Sequence, residues 1–479
     1  VDRILSDPYL WIGDEMGLGK TRQAVRGACA LWREGVIDQV VVLAPAQVYH
    51  EVWFEPEMGQ LREHMDAASV IEEYRPRTRF WSTDNGHGLS TRLRWIVTNY
   101  EFIRNPVRLG PLLARITHRT LLVLDESLAV AGHSSQTTKA CLQLRKAAGR
   151  VLLLNGTEGG GDTPAALYSQ ALMMDASVLG CRHWYEFKAR YAVMGGYRVN
   201  GRAVQITGWT NLDDLWARLK PYYLRRTKIL LDLPPKIPYV NIGASLEPES
   251  WRVYQDMRRD AIAVLEAGAS SAQAGVRALR LAQVTSGFLG GVQELDEEGL
   301  ALGAYQLVQV GREKLNALLA WYDGRPKDEK VMVWCRFRAE AERTAEAFRA
   351  RGRAQVGTIV GGQTREERQA NVALLDPRTA PQGGVVVVGT ESAGAFGLNL
   401  SATQVVVHLS SGFSHVIRTQ SDDRAHRPGL KHPVEYFDVV ASGPDGQKTV
   451  DHAVAKALRV KADLAAWGPV EWSEALKEE

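Results

Sequence analysis

Short apolar runs alternate with helical patterns along most of this chain. Residues 40–44, 95–98, 120–124 and 151–154 are rich in Val, Leu and Ile and show no period-two alternation. Strands buried on both faces of a parallel sheet read this way. The stretches 21–34 and 137–147 suit crossover helices, so the first half predicts a βαβ-repeating domain. A second strand set is predicted at 331–334, 357–360, 385–388, 405–409 and 436–440. Within it, 338–351 reads as a helix with Ala341, Ala345 and Phe348 on one face and Gly352 as its stop. The texture between the two sets differs. Residues 247–283 are charged, alanine-rich and read as helical, and Leu233-Pro234-Pro235-Lys236 reads as a semi-rigid connector. Residues 73–91 and 376–384 read as surface loops. The expected fold class is α/β, two parallel sheets in tandem, each flanked by helices, with helical insertions between them. The expected domains are 1–232, with a helical insertion at about 163–222, and 233–479, with one at about 247–310.

Composition changes this picture little. A chain of 479 residues predicts two or three domains, and 45% hydrophobic with 24% charged residues is globular usage. A net charge of +3 is too small to imply a nucleic-acid partner by itself. The four cysteines lie far apart with no CxxC pair, which argues against structural zinc or a disulfide framework and fits a reducing compartment. No apolar run of about 18 residues is present, so no membrane span is expected. With no signal-like start, a cytoplasmic location is expected. The chain begins at Val1 rather than Met, so upstream sequence is expected to be missing.

Candidate chemistry concentrates at three places. Residues 11–24 read WIGDEMGLGKTRQA, an apolar start running into Gly17, Leu18, Gly19, Lys20 and Thr21 before a helical pattern. Glycines let backbone N–H groups converge on phosphate oxygens, and the following helix adds its positive end. Lys20 would reach the β and γ phosphates of ATP, and Thr21 would place its hydroxyl on Mg²⁺. The strict pattern wants a glycine where this chain has Asp14. The second place is Asp125-Glu126, two carboxylates at the end of a predicted apolar strand. There Asp125 would hold Mg²⁺ through water and Glu126 would polarise the attacking water. The third is QSDDRAHR at 420–427, where Arg424 and Arg427 would share one helix face. In isolation those arginines read as a solvated charged helix; beside a nucleotide they read as arginine fingers for the γ-phosphate.

Together these stretches resemble a Swi/Snf-type ATPase of the second helicase superfamily, a group of double-stranded DNA translocases. DEMGLGKT at 14–21 is similar to the first motif of that family. LAPAQVYHEVW ending at Trp53, VTNYE at 97–101, LRRTKILLDLPPK at 224–236, FGLNLSAT at 396–403 and QSDDRAHRPGLKHPV at 420–434 follow in order, with Asp451 after them. The resemblance implies two tandem RecA-like domains that close over Mg·ATP, with Gln420 lining the same cleft. It places Thr98, Asn99 and Tyr100 near one DNA strand, as it does Thr390 and the Gly394–Asn399 loop. Such contacts would go to phosphate and sugar, without sequence preference. For Tyr100 core packing is the competing reading, and for Arg225 and Arg226 bracing competes with DNA contact. The implied partners are double-stranded DNA and a DNA-bound or accessory protein, with a monomer expected on DNA and a bacterial or bacteriophage member on composition.

Three departures stand out. The family has a small residue and then His after its Asp-Glu, where this chain has Ser127 and Leu128. Its coupling Thr-Gly-Thr-Pro reads Asn155-Gly156-Thr157-Glu158 here, and no glutamine precedes Trp11. None of these removes a catalytic group. The competing expectations are a strand-separating DNA or RNA helicase of the same superfamily and a scaffold whose ATPase has decayed.

Overall fold

The computed structural model describes residues 1–46, 49–54, 60–65, 69–75, 92–156, 164–199, 202–231, 233–266, 271–295, 301–394, 398–427, 430 and 432–459. The chain forms two compact units, Val1–Leu231 and Asp232–Glu479. Each is built on a wholly parallel sheet, as expected from the unalternating apolar runs.

In the first unit seven strands lie in the order Ser69–Glu73, Leu93–Asn99, Gln39–Ala44, Thr120–Leu124, Arg150–Leu154, Tyr9–Ile12 and Tyr223–Leu224. The central strands are fully buried because helices cover both faces, and two separate apolar cores result. Val40, Val42, Trp95 and Val123 point to the face covered by the helix Lys20–Arg33. Val41, Leu43, Leu122 and Leu124 point to the opposite face, covered by Gln136–Ala147 and Pro164–Met174. The last strand is the shortest, and its register sets Leu224 opposite Ile12.

In the second unit six strands lie in the order Val240–Ser245, Glu435–Ser442, Val405–His408, Lys330–Cys335, Val385–Thr390 and Gln355–Ile359. Arg338–Arg351 is a helix and stops at Gly352, whose left-handed φ of 63° suits glycine. The stretch 247–283 contains two helices, Pro248–Glu266 and Ser271–Thr285, that pack on each other through Tyr254, Ala261, Ala274 and Ala278.

Both insertions correct the expectation of helix alone. Each contains an antiparallel hairpin, Ala192–Val199 with Arg202–Trp209 in the first unit and Phe288–Leu295 with Ala301–Gln309 in the second. The first hairpin had a sequence signal, Asn200-Gly201 between β-branched stretches. Edge strands were missed as well: Ser69–Glu73 and Val240–Ser245 are half-buried or exposed and lack the apolar runs of the central strands. All four cysteines are buried and outside any disulfide, and no helix among the described residues is long and apolar enough to cross a membrane.

Candidate nucleotide site

The strand Tyr9–Ile12 ends in the loop that the sequence singled out. Gly17 and Gly19 take φ values of 89° and 73°, and Gly19 caps the helix that starts at Lys20. Two left-handed residues in one short loop turn successive N–H groups inward, and the first helical N–H groups have no partner within their own helix. Lys20 Nζ donates to the carbonyls of Asp14, at 2.7 Å, and Glu15, at 3.3 Å. The ammonium therefore folds over its own loop. Gly156 lies alongside: a Cβ there would sit 3.4 Å from Lys20 Nζ and 2.7 Å from Met16 Cγ. Asn155, wholly buried, donates its N–H to Ile12 O and so brings Gly156 to that place.

Asp14, the departure from the strict glycine pattern, is fully buried. Its carboxylate accepts from Arg226 Nη2 at 2.6 Å, from Arg226 Nε and backbone N–H, and from Gln23 Nε2 at 3.0 Å. Glu15 makes a parallel set, accepting from Lys228 N at 2.7 Å and facing Arg225 Nη2 at 3.6 Å. Backbone bonds from Gly13 N to Leu224 O and from Glu15 N to Arg226 O complete the clasp. Arg225 and Arg226 thus brace the phosphate loop from within the first unit.

The acidic pair sits at the end of Thr120–Leu124, in the same sheet as the strand that leads into this loop and one strand removed from it. Asp125 Oδ2 accepts from the indole Nε1 of Trp53 at 2.7 Å, and Oδ1 accepts from Glu126 N at 3.0 Å. Tyr100 donates its hydroxyl to Asp125 O at 2.8 Å. Burial, with Cys141, Asp125 and Glu126 nearby, pushes that phenol well above its ordinary pKa and keeps it a donor. Glu126 has φ 49°, one of two left-handed non-glycine residues among those described. That conformation costs on the order of 1–3 kcal/mol and persists where neighbours over-determine it. Ser127, on its other side, donates to Gln170 Oε1 at 2.7 Å with both residues wholly buried.

In the second unit, QSDDR lies on the helix His415–Ala425, and Gln420, Ser421, Asp422, Asp423 and Arg424 are all buried. The solvated-helix reading is therefore wrong for this segment. Its charges are matched from other elements: His408 Nε2 meets Asp422 Oδ1 at 2.9 Å, and Arg418 Nη2 meets Asp438 Oδ1 at 2.6 Å. Lys236 Nζ, in the proline connector, meets Asp423 Oδ1 at 2.9 Å, and Tyr239 donates to Asp422. His408 Nδ1 meets Glu391 Oε1 at 2.9 Å, so the imidazole lies between two carboxylates. Burial and Arg418 lower its pKa, but the two carboxylates outweigh them and the net shift is upward. Arg427, half-buried, lies beyond the end of the helix. Asp451 pairs with Lys314 at 2.8 Å.

Comparison with known families decides the assignment. The SNF2-related domain matches residues 10–285 and the Helicase conserved C-terminal domain matches residues 312–429. The chain belongs to the SNF2-related family. An uncharacterized ATP-dependent helicase of Mycoplasma genitalium is 19% identical over 95% of this chain and 39% of its own length. A Caenorhabditis elegans homologue of SWI/SNF-related matrix-associated actin-dependent regulator of chromatin subfamily A-like protein 1 is 24% identical over 96% of this chain and 59% of its own. The chain thus spans less than two thirds of either relative. The Sulfolobus solfataricus SWI2/SNF2 ATPase core in complex with dsDNA aligns over 94% of this chain and 86% of its own, at 18% identity and a TM-score of 0.38.

Among the SNF2-related positions read as lining DNA, most are enclosed within their own unit. Thr98 is wholly buried and donates to Tyr74 O at 3.0 Å, and Tyr100 is in the core. Thr390 is buried at a strand end, and a Cβ on Gly394 would lie 2.0 Å from the Trp334 ring. The side chains of Thr98, Tyr100 and Thr390 therefore pack within their own units and shape the loops that carry them. Asn99 caps the helix Tyr100–Ile103 by accepting from Phe102 N, and Asn399 accepts from Ser401; both are half-buried. Thr157, Glu158 and residues 395–397 lie outside the described residues. Trp53, Gln170, Tyr239, Glu391 and His408 were missed as site residues. Only Trp53 had a signal, as the last residue of the second quoted motif.

Removing one partner of a buried pair leaves a charge without compensation. Arg226→Met is expected to destabilise the first unit by about 2 kcal/mol, below the fully buried range because the arginine is partly exposed. Urea unfolding of the full chain checks this, and Arg226→Lys is expected to recover part of the loss. His408 supplies a second prediction. Its folded pKa lies above the unfolded value, so the stability it adds is fully present below that unfolded value and is lost as pH rises through the folded pKa. The advantage of wild type over His408→Gln in melting temperature is therefore expected to be largest near pH ~6 and to shrink at higher pH.

Proposed function

We propose that this chain is an ATP-driven motor that tracks along double-stranded DNA and remodels or displaces protein bound to it. The reading is carried by one concurrence: an intact phosphate loop and acidic pair in a chain whose SNF2-related match spans residues 10–285. The names of its relatives, an ATP-dependent helicase and a SWI/SNF-related regulator of chromatin, support it.

The residues present fit a nucleoside triphosphate with its magnesium. Left-handed Gly17 and Gly19 form the cradle, glycine at 156 leaves Lys20 room, and a strand of the same sheet ends in two carboxylates. The backbone N–H groups of 17–21 would bind the β phosphate, and Lys20 would leave the Asp14 and Glu15 carbonyls to meet the γ phosphate. Thr21 and Asp125 would hold Mg²⁺, which when bound offsets charge on the β and γ oxygens. Glu126 would orient and deprotonate the attacking water, with its strained backbone fixing where the carboxylate points. Arg424, Arg427 and Gln420 are proposed as further groups that act on the triphosphate. Grip on DNA would go to phosphate and sugar, without sequence preference.

The test is ATP hydrolysis by the full chain without nucleic acid, and with single-stranded DNA, duplex DNA or RNA. Duplex DNA is expected to stimulate most, and the stimulation to fade between ~50 and ~200 mM salt as backbone contacts weaken. Lys20→Ala and Glu126→Gln are each expected to lower turnover by about 100-fold or more. A strand-displacement assay on the same duplex is expected to show no unwinding. An unstimulated rate with every nucleic acid would overturn the translocase reading.

A further inference from the structure

Trp53 sits in an unusual place for a core tryptophan. Its ring is wholly buried in the apolar cluster between the sheet and the phosphate-loop helix, among Val42, Trp95, Val97 and Val123. Its N–H, however, is spent on a carboxylate, Asp125 Oδ2 at 2.7 Å. The segment that delivers it, Tyr49–Phe54, is a π-helix, a wide turn that is rare and frequently found at functional sites. Tyr49 anchors the start of that turn by donating to Glu73 Oε1 at 2.9 Å.

We propose that Trp53 is a positioning residue for the metal-side carboxylate, acting through Asp125 rather than on nucleotide. This rests on the ATPase reading above. Asp125 makes at least four hydrogen bonds, and they do different things. Its backbone N–H donates to Leu43 O at 2.8 Å and its carbonyl accepts from Tyr100, which fixes the strand end. The Trp53 and Glu126 N–H groups grip the carboxylate itself, one at each oxygen. Two donors at opposite oxygens set the plane of the group, and the charged acceptor makes each bond stronger than a neutral one. Outer partners of metal-bearing carboxylates orient them in this way. The Glu126 bond is between adjacent residues and turns with the carboxylate's own backbone. Trp53 is an anchor that comes from another element.

Trp95 provides the control. It lies in the same cluster, is equally buried, and its indole nitrogen has no hydrogen-bond partner among the described residues. Trp53→Phe and Trp95→Phe thus remove similar bulk from one core, and only the first removes a bond to Asp125. The full-length chain would be titrated with Mg²⁺ while binding of a fluorescent ADP analogue is followed, with thermal melting in parallel. Both variants are expected to melt lower. Trp53→Phe is expected to need about tenfold more Mg²⁺ for half-maximal binding, the size of effect seen for outer-shell partners, with Trp95→Phe unchanged. Benzothienylalanine at position 53 keeps the bicyclic shape and removes only the N–H, so it gives the same readout should the phenylalanine variant not fold. It is expected to show the same shift. Equal Mg²⁺ dependence of the Trp53 variants and wild type would overturn the role of Trp53 alone. Failure of wild type to bind the analogue at any Mg²⁺ concentration would overturn the nucleotide reading and this inference together.

Discussion

A buried carboxylate opposite an arginine 212 residues away governs the first unit. Asp14 has no exposure to water, and a carboxylate in that position is tolerable only when donors surround it. Arg226 and Gln23 provide them, and by doing so they pull 223–228 onto the phosphate loop as its outer strand and brace. The loop's shape therefore depends on the far end of the unit. A glycine at position 14 would leave the loop freer and Arg226 without its counter-charge. The close approach also explains Gly13, where a Cβ would fall 2.3 Å from Tyr223 Oη.

The second unit solves a similar problem on a larger scale. A helix carrying Arg418, Asp422, Asp423 and Arg424 is buried along most of its length, which a charged sequence does not do unaided. Matching groups arrive from the proline connector (Lys236, Tyr239) and from strands (His408, Asp438). Glu391, one residue past Thr390, reaches the same imidazole as Asp422. One histidine thus ties the end of a strand that was read as facing DNA to the helix that carries the arginines. Any movement of either has to carry or break that clasp.

Much of the nucleotide site was legible in the chain. The glycines, Lys20, Thr21 and the Asp-Glu pair announce themselves because phosphate binding is done largely by backbone geometry, and only a few sequences permit it. The roles of the polar residues at strand ends were less legible. Thr98, Tyr100 and Thr390 sit at strand ends, where a polar residue serves equally to contact a ligand or to satisfy a buried carbonyl. Here Thr98 and Tyr100 do the latter, with Tyr74 O and Asp125 O. The loss of the family's histidine at 128 had the opposite outcome. The adjacent Ser127 is bonded to Gln170 on the helix Pro164–Met174, a connection that no spacing rule could have found.

By itself the sequence determined the class of each unit, two parallel sheets, because strands covered on both faces must be apolar without alternation. It determined the place of the phosphate loop for a similar reason, since backbone that turns left-handed twice in three residues needs glycine. The tertiary structure alone decided which charges are buried and who answers them. Asp14 with Arg226, Asp423 with Lys236 and Asp125 with Trp53 are pairs far apart in the chain. Each exists because folding removes one carboxylate from water and only a donor already fixed nearby can replace what water supplied.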